Sequence, residues 1–431
     1  MNGHGRRILV VGAGIGGLAT ALSLHEIGTD VDVFEGVREL RPLGVGINLL
    51  PHAVRELDAL ELLEPLRLRS VEPTSLVYCS RHGQEIWRER RGKAAGYSWP
   101  QLSINRGALQ DVLLGAFCER VGPTHLHLGH RLVRIEAEDT HCTAVFASDR
   151  DDSLVVSGDG IVAADGIHSM ARGLRYPSEG PPRWNGSLLW RGVAEVEPLL
   201  DGRTMVWAGH RDQKFVAYPI ADLPNGRQAL NFIAELRRPE SGLGGAEDWN
   251  RAGELTDFLP EFHDWVFDWL DVPAIIRSAP GTFLFPMVDR DPVPRWTFGS
   301  STLLGDAAHP MYPIGSNGAS QAILDARVLA GCLRADDLVP AAFERYERAR
   351  LPATGAIVHA NRGLGPEVPM QLVHERAPDG FDDINAVITR EEIDQVTEAY
   401  RGTAGFALSA LRTDPRSLID QWATKSADRS T

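Results

Sequence analysis

Between an apolar run, Ile8-Leu-Val-Val11, and a stretch of helical spacing from Leu18 to Glu26, the chain reads Gly12-Ala-Gly14-Ile-Gly-Gly17. No other segment restricts the fold as strongly. A strand, three glycines at G-x-G-x-x-G spacing and a helix open a dinucleotide-binding unit: one glycine turns the chain, the next admits a pyrophosphate, and the last lets helix meet strand. The helix N-terminus then presents its partial positive charge to the phosphate. A second strand, Val31 to Glu35, completes a βαβ start. Glu35 ends it 23 residues after Gly12, where a carboxylate bonds ribose hydroxyls and repels a 2′-phosphate. The motif leaves NAD and FAD both open. Arg6 and Arg7 ahead of the apolar Ile8 to Leu24 also look like a secretory leader, but a strand and turn explain the four glycines there and a leader core does not.

A chain of 431 residues is too long for one small core and suits an α/β architecture with an inserted second domain. Residues 1–70, 101–180 and 286–360 read as three pieces of a Rossmann-like domain, with strand-like runs at Asp159 to Asp165 and Ser301 to Gly305. Residues 71–100 and 181–285 read as an inserted antiparallel sheet: Ser187 to Val193, Thr204 to Trp207, Phe215 to Ile220 and Ala229 to Glu235 are short aromatic and β-branched runs, and Val71 to Trp87 adds strands. Glu247 to Leu270, with Trp249, Phe258, Phe262, Trp265, Val266 and Trp269, reads as one or two amphipathic helices on that sheet. Helical patterns follow from Ser320 to Leu333 and from Pro340 to Arg350, and residues 361–431 read as a helical tail. The formal charge of −14, without a dense basic run, argues against a nucleic-acid partner. No apolar run approaches the ~20 residues of a membrane helix. Cys79, Cys118, Cys142 and Cys332 form no C-x-x-C pair, so neither a metal site nor a disulfide framework is indicated, and reduced, cytoplasmic thiols are the expectation.

Two further motifs carry chemistry. Asp165-Gly-Ile-His-Ser-Met-Ala-Arg172 follows an apolar strand. In LLGDAAHPMYPIGSNGASQAILD, residues 303–325, Asp306 and His309 fit a metal pair, an acid/base pair or a loop that cradles something else. Pro313 fixes a turn, and Gly315, Asn317, Gly318 and Ala319 open a helix through small residues, so that backbone N–H groups can approach a planar anionic edge.

GAGIGG, ADGIHSMAR and LLGDAAHPMYP in this order resemble the FAD-dependent aromatic hydroxylases of the para-hydroxybenzoate hydroxylase type, and the likeness runs from about residue 6 to Tyr346-Glu-Arg-Ala-Arg-Leu-Pro352. RPLGVGIN, SINRGALQ, WRGV and PMVDRDPVP look most like the phenazine-modifying monooxygenases within that class. The resemblance implies a Rossmann-like FAD-binding domain with an inserted substrate sheet and C-terminal helices. It implies that Gly12, Gly14, Gly17 and Glu35 hold the ADP half of FAD, that Leu132 meets adenine through its backbone, and that Arg106 reaches the phosphate or ribityl region. Arg41 and Gly46 would pass beside the flavin, Asp165 would serve FAD and the reduced nicotinamide, and Asp306 would bond ribityl hydroxyls. Asn317, Gly318 and Ala319 would place donors at the flavin N1–O2 edge. His309 then becomes a residue that sets the turn before Pro310, and the metal alternative recedes.

The implied chemistry is hydroxylation of an electron-rich aromatic substrate with NADH or NADPH and O2, through a C4a-hydroperoxide of the flavin. Such a site needs a flat apolar pocket with few polar groups. Trp190, Phe232 and Tyr312 are the candidate walls, and His210, Tyr218 and Pro313 the candidate catalytic residues. The tail is left with two roles, homodimer contact or pocket lid. An NAD-dependent dehydrogenase, another FAD oxidoreductase and a flavin-binding protein without activity are the alternatives; bound flavin excludes the first, and NADH consumption coupled to O2 uptake excludes the last.

Overall fold

The computed structural model describes residues 5–41, 44–137, 141–148, 153–238 and 251–424. Its first sheet is parallel and five-stranded, in the order Ser301–Leu303, Gly160–Ala163, Arg7–Val11, Asp30–Glu35, Leu126–Leu128. The runs that read as strands in the sequence therefore become neighbours although more than 130 residues of chain separate some of them. Val10 pairs with Val162 on one side and Val33 on the other, and all three are buried, as expected for a parallel strand covered on both faces. Helices Ile15–Glu26 and Gly318–Ala335 pack on one another against this sheet.

The second sheet has seven strands: Thr282–Asp289, Arg183–Val196, Gln228–Arg237, Gln213–Asp222, Thr204–His210, Ser75–Cys79 and Glu85–Arg90. All neighbours are antiparallel except the pair Thr204–His210 and Ser75–Cys79, which is parallel. Successive side chains of a strand point to opposite faces, so each strand feeds two cores. Trp190, Phe215, Phe232 and Leu284 enter one, closed by Phe258, Phe262 and Trp265; Met205, Trp207, Tyr218 and Ile220 enter the other, closed by Met370, Val373 and Ile393 from the C-terminal helices.

Among the described residues, the helices expected over Glu247 to Leu270 are not found. Residues 247–250, with Trp249, lie outside the described residues; beyond them come two short 3-10 turns, Leu255–Asp257 and Leu259–Phe262, then a two-strand ribbon, Val266–Phe267 with Leu270–Asp271. Pro260 interrupts any longer helix, and the aromatic residues are buried from turns instead. In the other direction, the helix expected to stop at Arg350 runs on through Pro352 as Val339–Arg362.

Candidate active site

Space decides which glycines of the first motif serve the fold. A Cβ on Gly12 would lie 2.4 Å from the Ala164 carbonyl oxygen, and one on Gly17 would lie 1.9 Å from the Gly12 carbonyl oxygen; Gly12 also has a φ of +101°. Both are fixed by strand and helix contact. Gly14 is different: its φ is −73°, and nothing lies within 4 Å of an added Cβ. It caps helix Ile15–Glu26 without a side-chain acceptor, so the first N–H groups face open space. The Glu35 carboxylate accepts from the Ala13 N–H (2.8 Å) and the Val37 N–H (3.0 Å), bracing the turn while keeping acceptor capacity for hydroxyls. A cleft of about 300 Å³ opens here, lined by Gly14, Glu35, Leu132, Gly166 and Met170 among others. Asp165 lines it too, but its carboxylate is spent on the Ser169 hydroxyl (2.5 Å) and the Met170 N–H (2.8 Å), where it caps helix Met170–Arg175; burial raises its pKa despite those bonds.

At the other end, three side chains of the seven-stranded sheet hold one residue. Asn231 Oδ1 accepts from the Gly46 N–H (2.6 Å), while the Gly46 carbonyl accepts from the Tyr218 hydroxyl (2.8 Å) and Arg191 Nη2 (2.6 Å). A Cβ on Gly46 would collide with Asn231 at 2.7 Å. This docking brings Gly46–Leu49 against Leu102–Asn105, after which Arg106 opens helix Arg106–Arg120. Burial lowers the pKa of Arg106, Asp306 raises it, and Arg191 lowers it further, so the three charges share one region.

Asp306 is exposed, yet burial raises its pKa beyond what His309 and Arg106 take back. The carboxylate is thus accessible while the protein around it disfavours its charge, and it faces the recess formed with Arg106. Its loop is fixed from behind: Asp325, wholly buried, accepts from the Gly305 N–H (3.1 Å), His309 Nε2 (2.5 Å) and Arg350 Nε (2.6 Å). His309 is thus a buried partner of Asp325 as well as a turn residue. From the other side Arg172 donates to the carbonyls of Ala307 (3.2 Å) and Ala308 (2.8 Å), tying the second motif to the third. Helix Gly318–Ala335 then starts with no side-chain cap and no acidic residue in its first turn, and an added Cβ on Gly318 would meet nothing within 4 Å.

The apolar wall beside this recess is Val45, Leu189, Phe285, Met287, Tyr312 and Ile314. Tyr312 belongs to this apolar cluster, and Pro313 next to it is exposed. Trp190 and Phe232 do not. Strand alternation sends both to the far core, where Trp190 stacks on Phe258 with centroids 5.0 Å apart. His210 also falls away from the recess: it ends its strand and stacks on His374 at 3.7 Å, and burial together with His374 pushes its pKa down to about 4. The Tyr218 hydroxyl donates to the Gly46 carbonyl and burial raises its pKa, so in this structure it positions the Gly46 segment. The Arg41 side chain is 83% exposed and paired with Glu39. Sequence reasoning missed Arg191, Asn231 and Asp325. Arg191 had a signal, since a residue next to an inward Trp190 on a strand must face the other way.

Gly14 and Gly318, two glycines that the chain's own packing does not require, lie at two uncapped helix N-termini, with Asp306, Arg106 and Arg191 close enough to influence one another's charge; these residues fit a long, anionic, planar cofactor. The FAD binding domain family matches residues 6–240, more than half of the chain. The chain belongs to the FAD-dependent aromatic hydroxylases. Among its relatives in that family, phenazine 1,6-dicarboxylic acid hydroxylase of Lysobacter antibioticus is 42% identical over 82% of this chain and 89% of that one. 3-Amino-4-hydroxybenzoate 2-monooxygenase of Streptomyces cremeus is 32% identical over 84% and 87%. The fold matches HpxO of Klebsiella pneumoniae complexed with FAD and uric acid, with a TM-score of 0.74 at 24% identity over 96% of this chain and 98% of that one. FAD is the cofactor of this hydroxylase, and its sheet-inserted Rossmann-like fold is that of the family. Among the described residues, no helix is long and apolar enough to cross a membrane, and no cluster of three or more His, Cys, Asp or Glu is arranged to hold a metal ion.

Proposed function

We propose that this hydroxylase acts on an aromatic carboxylic acid of the phenazine or hydroxybenzoate type, with NADH or NADPH and O2 as co-substrates. The ring lies against the wall of Leu189, Phe285, Met287 and Tyr312, and Arg191 meets the carboxylate. The observation that carries this assignment is Arg191 itself: a half-buried cation on the recess face of the sheet, beside an apolar wall and over the Phe285 ring, with Nη2 on the Gly46 carbonyl and no carboxylate of the chain paired with it among the described residues. The relatives whose names give phenazine dicarboxylic acid and aminohydroxybenzoate as substrates support the acid. The ADP half of FAD binds along Gly12, Gly14, Gly17 and Glu35, with Leu132 at the adenine; Asp306 and Arg106 meet the ribityl chain, and Gly315 to Ala319 face the flavin edge.

Bound there, FAD supplies hydride acceptance and oxygen activation. The chain's part is positional and electrostatic. The free N–H groups of helix Gly318–Ala335 stabilise negative charge on the flavin edge, Asp306 holds hydroxyls, the apolar wall excludes water, and Arg191 aims the ring. Cys79, Cys118, Cys142 and Cys332 are thiols outside any disulfide, three of them buried, and such thiols fit the reducing cytoplasm. Replacing Asp306 with Ala should strip FAD during purification, read as lost flavin absorbance; retention of full flavin occupancy sinks the ribityl assignment. Arg191→Leu also frees the Gly46 carbonyl, so the test is the ratio: it should raise KM for carboxylated phenazines or hydroxybenzoates at least tenfold more than KM for the same rings without a carboxylate, as a desolvated charge-assisted pair is worth about 1.5–3 kcal/mol.

A further inference from the structure

The loop Tyr312 to Asn317 is built from strained backbone: Gly315 has φ +71° and Ser316, which is not a glycine, has φ +60°. Such a conformation persists only where its surroundings hold it. What holds it is one side chain from the C-terminal segment. Tyr400, 6% exposed, lies on helix Arg390–Thr403, whose start is set by a capping box of Thr389 and Glu392. Its hydroxyl accepts from Asn317 Nδ2 (2.8 Å) and gives its proton to Asn361 Oδ1 (2.8 Å), with the Ile314 carbonyl at 3.2 Å. Asn361 Nδ2 in turn donates to the Tyr312 carbonyl (3.0 Å). Asn317 and Asn361 are each 1% exposed.

The ring is fitted as closely as the hydroxyl. A Cβ on Gly315 would lie 2.0 Å from the Tyr400 oxygen, and one on Gly365 would lie 2.9 Å from its Cε2. Two left-handed glycines, 50 residues apart, thus leave room for one phenol, and both would be blocked by any side chain. Behind it, Gln321 Nε2 donates to the Ala404 carbonyl (3.0 Å), and Phe406 and Ala404 pack with Leu50 and Tyr400. The contact therefore joins the tail to both sides of the start of helix Gly318–Ala335.

We propose that Tyr400 is a positioning residue for the flavin: through Asn317 and Asn361 it sets the backbone of residues 312–317, and with it the direction in which the N-terminus of helix Gly318–Ala335 points at the cofactor. The proposal rests on the flavin placement given above. Loosening that helix start weakens the field that stabilises the reduced, anionic cofactor, so the effect reaches the midpoint potential and not only stability.

Tyr400→Phe keeps the ring between the two glycines and removes the hydroxyl. Its apoprotein should bind FAD about tenfold more weakly, the loss of two or three neutral hydrogen bonds, and the midpoint potential of the bound flavin should fall. Asn361→Ala, which leaves the phenol in place and removes its acceptor, should move both quantities the same way, and it decides the matter if the first variant does not fold. FAD affinity and potential equal to the wild type in the variant that folds overturn the proposal. Asp306→Ala separates the two ideas. If it retains FAD, the flavin placement falls and this inference with it; if it loses FAD while Tyr400→Phe and Asn361→Ala change nothing, the role of Tyr400 falls alone.

Discussion

Two aspartates of the same loop system carry opposite electrostatics. Burial would raise the carboxyl of Asp325, but His309 and Arg350 outweigh it and hold the group below its ordinary value. The stability it contributes is therefore present above the usual carboxyl range and is lost as pH falls through the lowered value. Asp325→Ala, which strands His309 and Arg350 in the interior, should cost about 3–5 kcal/mol in denaturant unfolding. At Asp306 burial wins over His309 and Arg106, and the carboxyl is raised. The folded chain then binds a proton that the unfolded one releases, so ionising Asp306 costs stability, increasingly as pH rises from the ordinary carboxyl value to the raised one. Apoprotein carrying Asp306→Asn should melt above wild-type apoprotein at neutral pH, with the difference vanishing in acid; an equal or lower melting temperature at neutral pH contradicts it. The sequence shows Asp306 as the end of a strand and hides Asp325, because its two partners come from residues 16 and 25 positions away.

Elements whose contacts are local were the legible ones. The strand, glycine turn and helix at the N-terminus need only their own residues, and the expected βαβ start is present. The same local logic yields a contrast within one motif. Gly17→Ala meets a carbonyl oxygen and should cost more than ~4 kcal/mol or prevent folding. Gly14→Ala meets nothing inside the chain, so its apoprotein should unfold like wild type while its FAD affinity drops, measured by equilibrium titration. Equal damage to apoprotein stability from both changes removes Gly14 from the cofactor's path. The segment after Trp249 was misread because aromatic spacing alone does not distinguish a helix from turns that bury the same rings. His210 was misplaced for a related reason: a strand assignment gives the face of a side chain and not its distance along the sheet from the site.

For the molecule as a whole, the tail is the part the sequence explained least, since its packing on the large sheet comes from contacts distant in the chain. Met370, Val373, Ile388 and Ile393 close the second core of the large sheet, and Glu367 meets Lys214 Nζ (2.6 Å) together with Glu235 (2.9 Å), all three at most 8% exposed. A chain cut after Gly363 would expose that core and leave Lys214 without one of its two carboxylates. It should fail to give soluble, flavin-bound protein, whereas a tail that served only subunit contact would leave a soluble monomer with flavin, distinguishable by size-exclusion chromatography with absorbance detection.

The large sheet keeps its two faces in separate registers of sequence, with Trp190, Phe232 and Leu284 sealing one core while Arg191, Asn231, Ile233 and Phe285 turn toward the recess. Neighbouring codons therefore answer to different demands. A library restricted to Leu189, Ile233 and Phe285, with Arg191 and Asn231 kept because they hold Gly46, would vary the apolar wall without touching the far core.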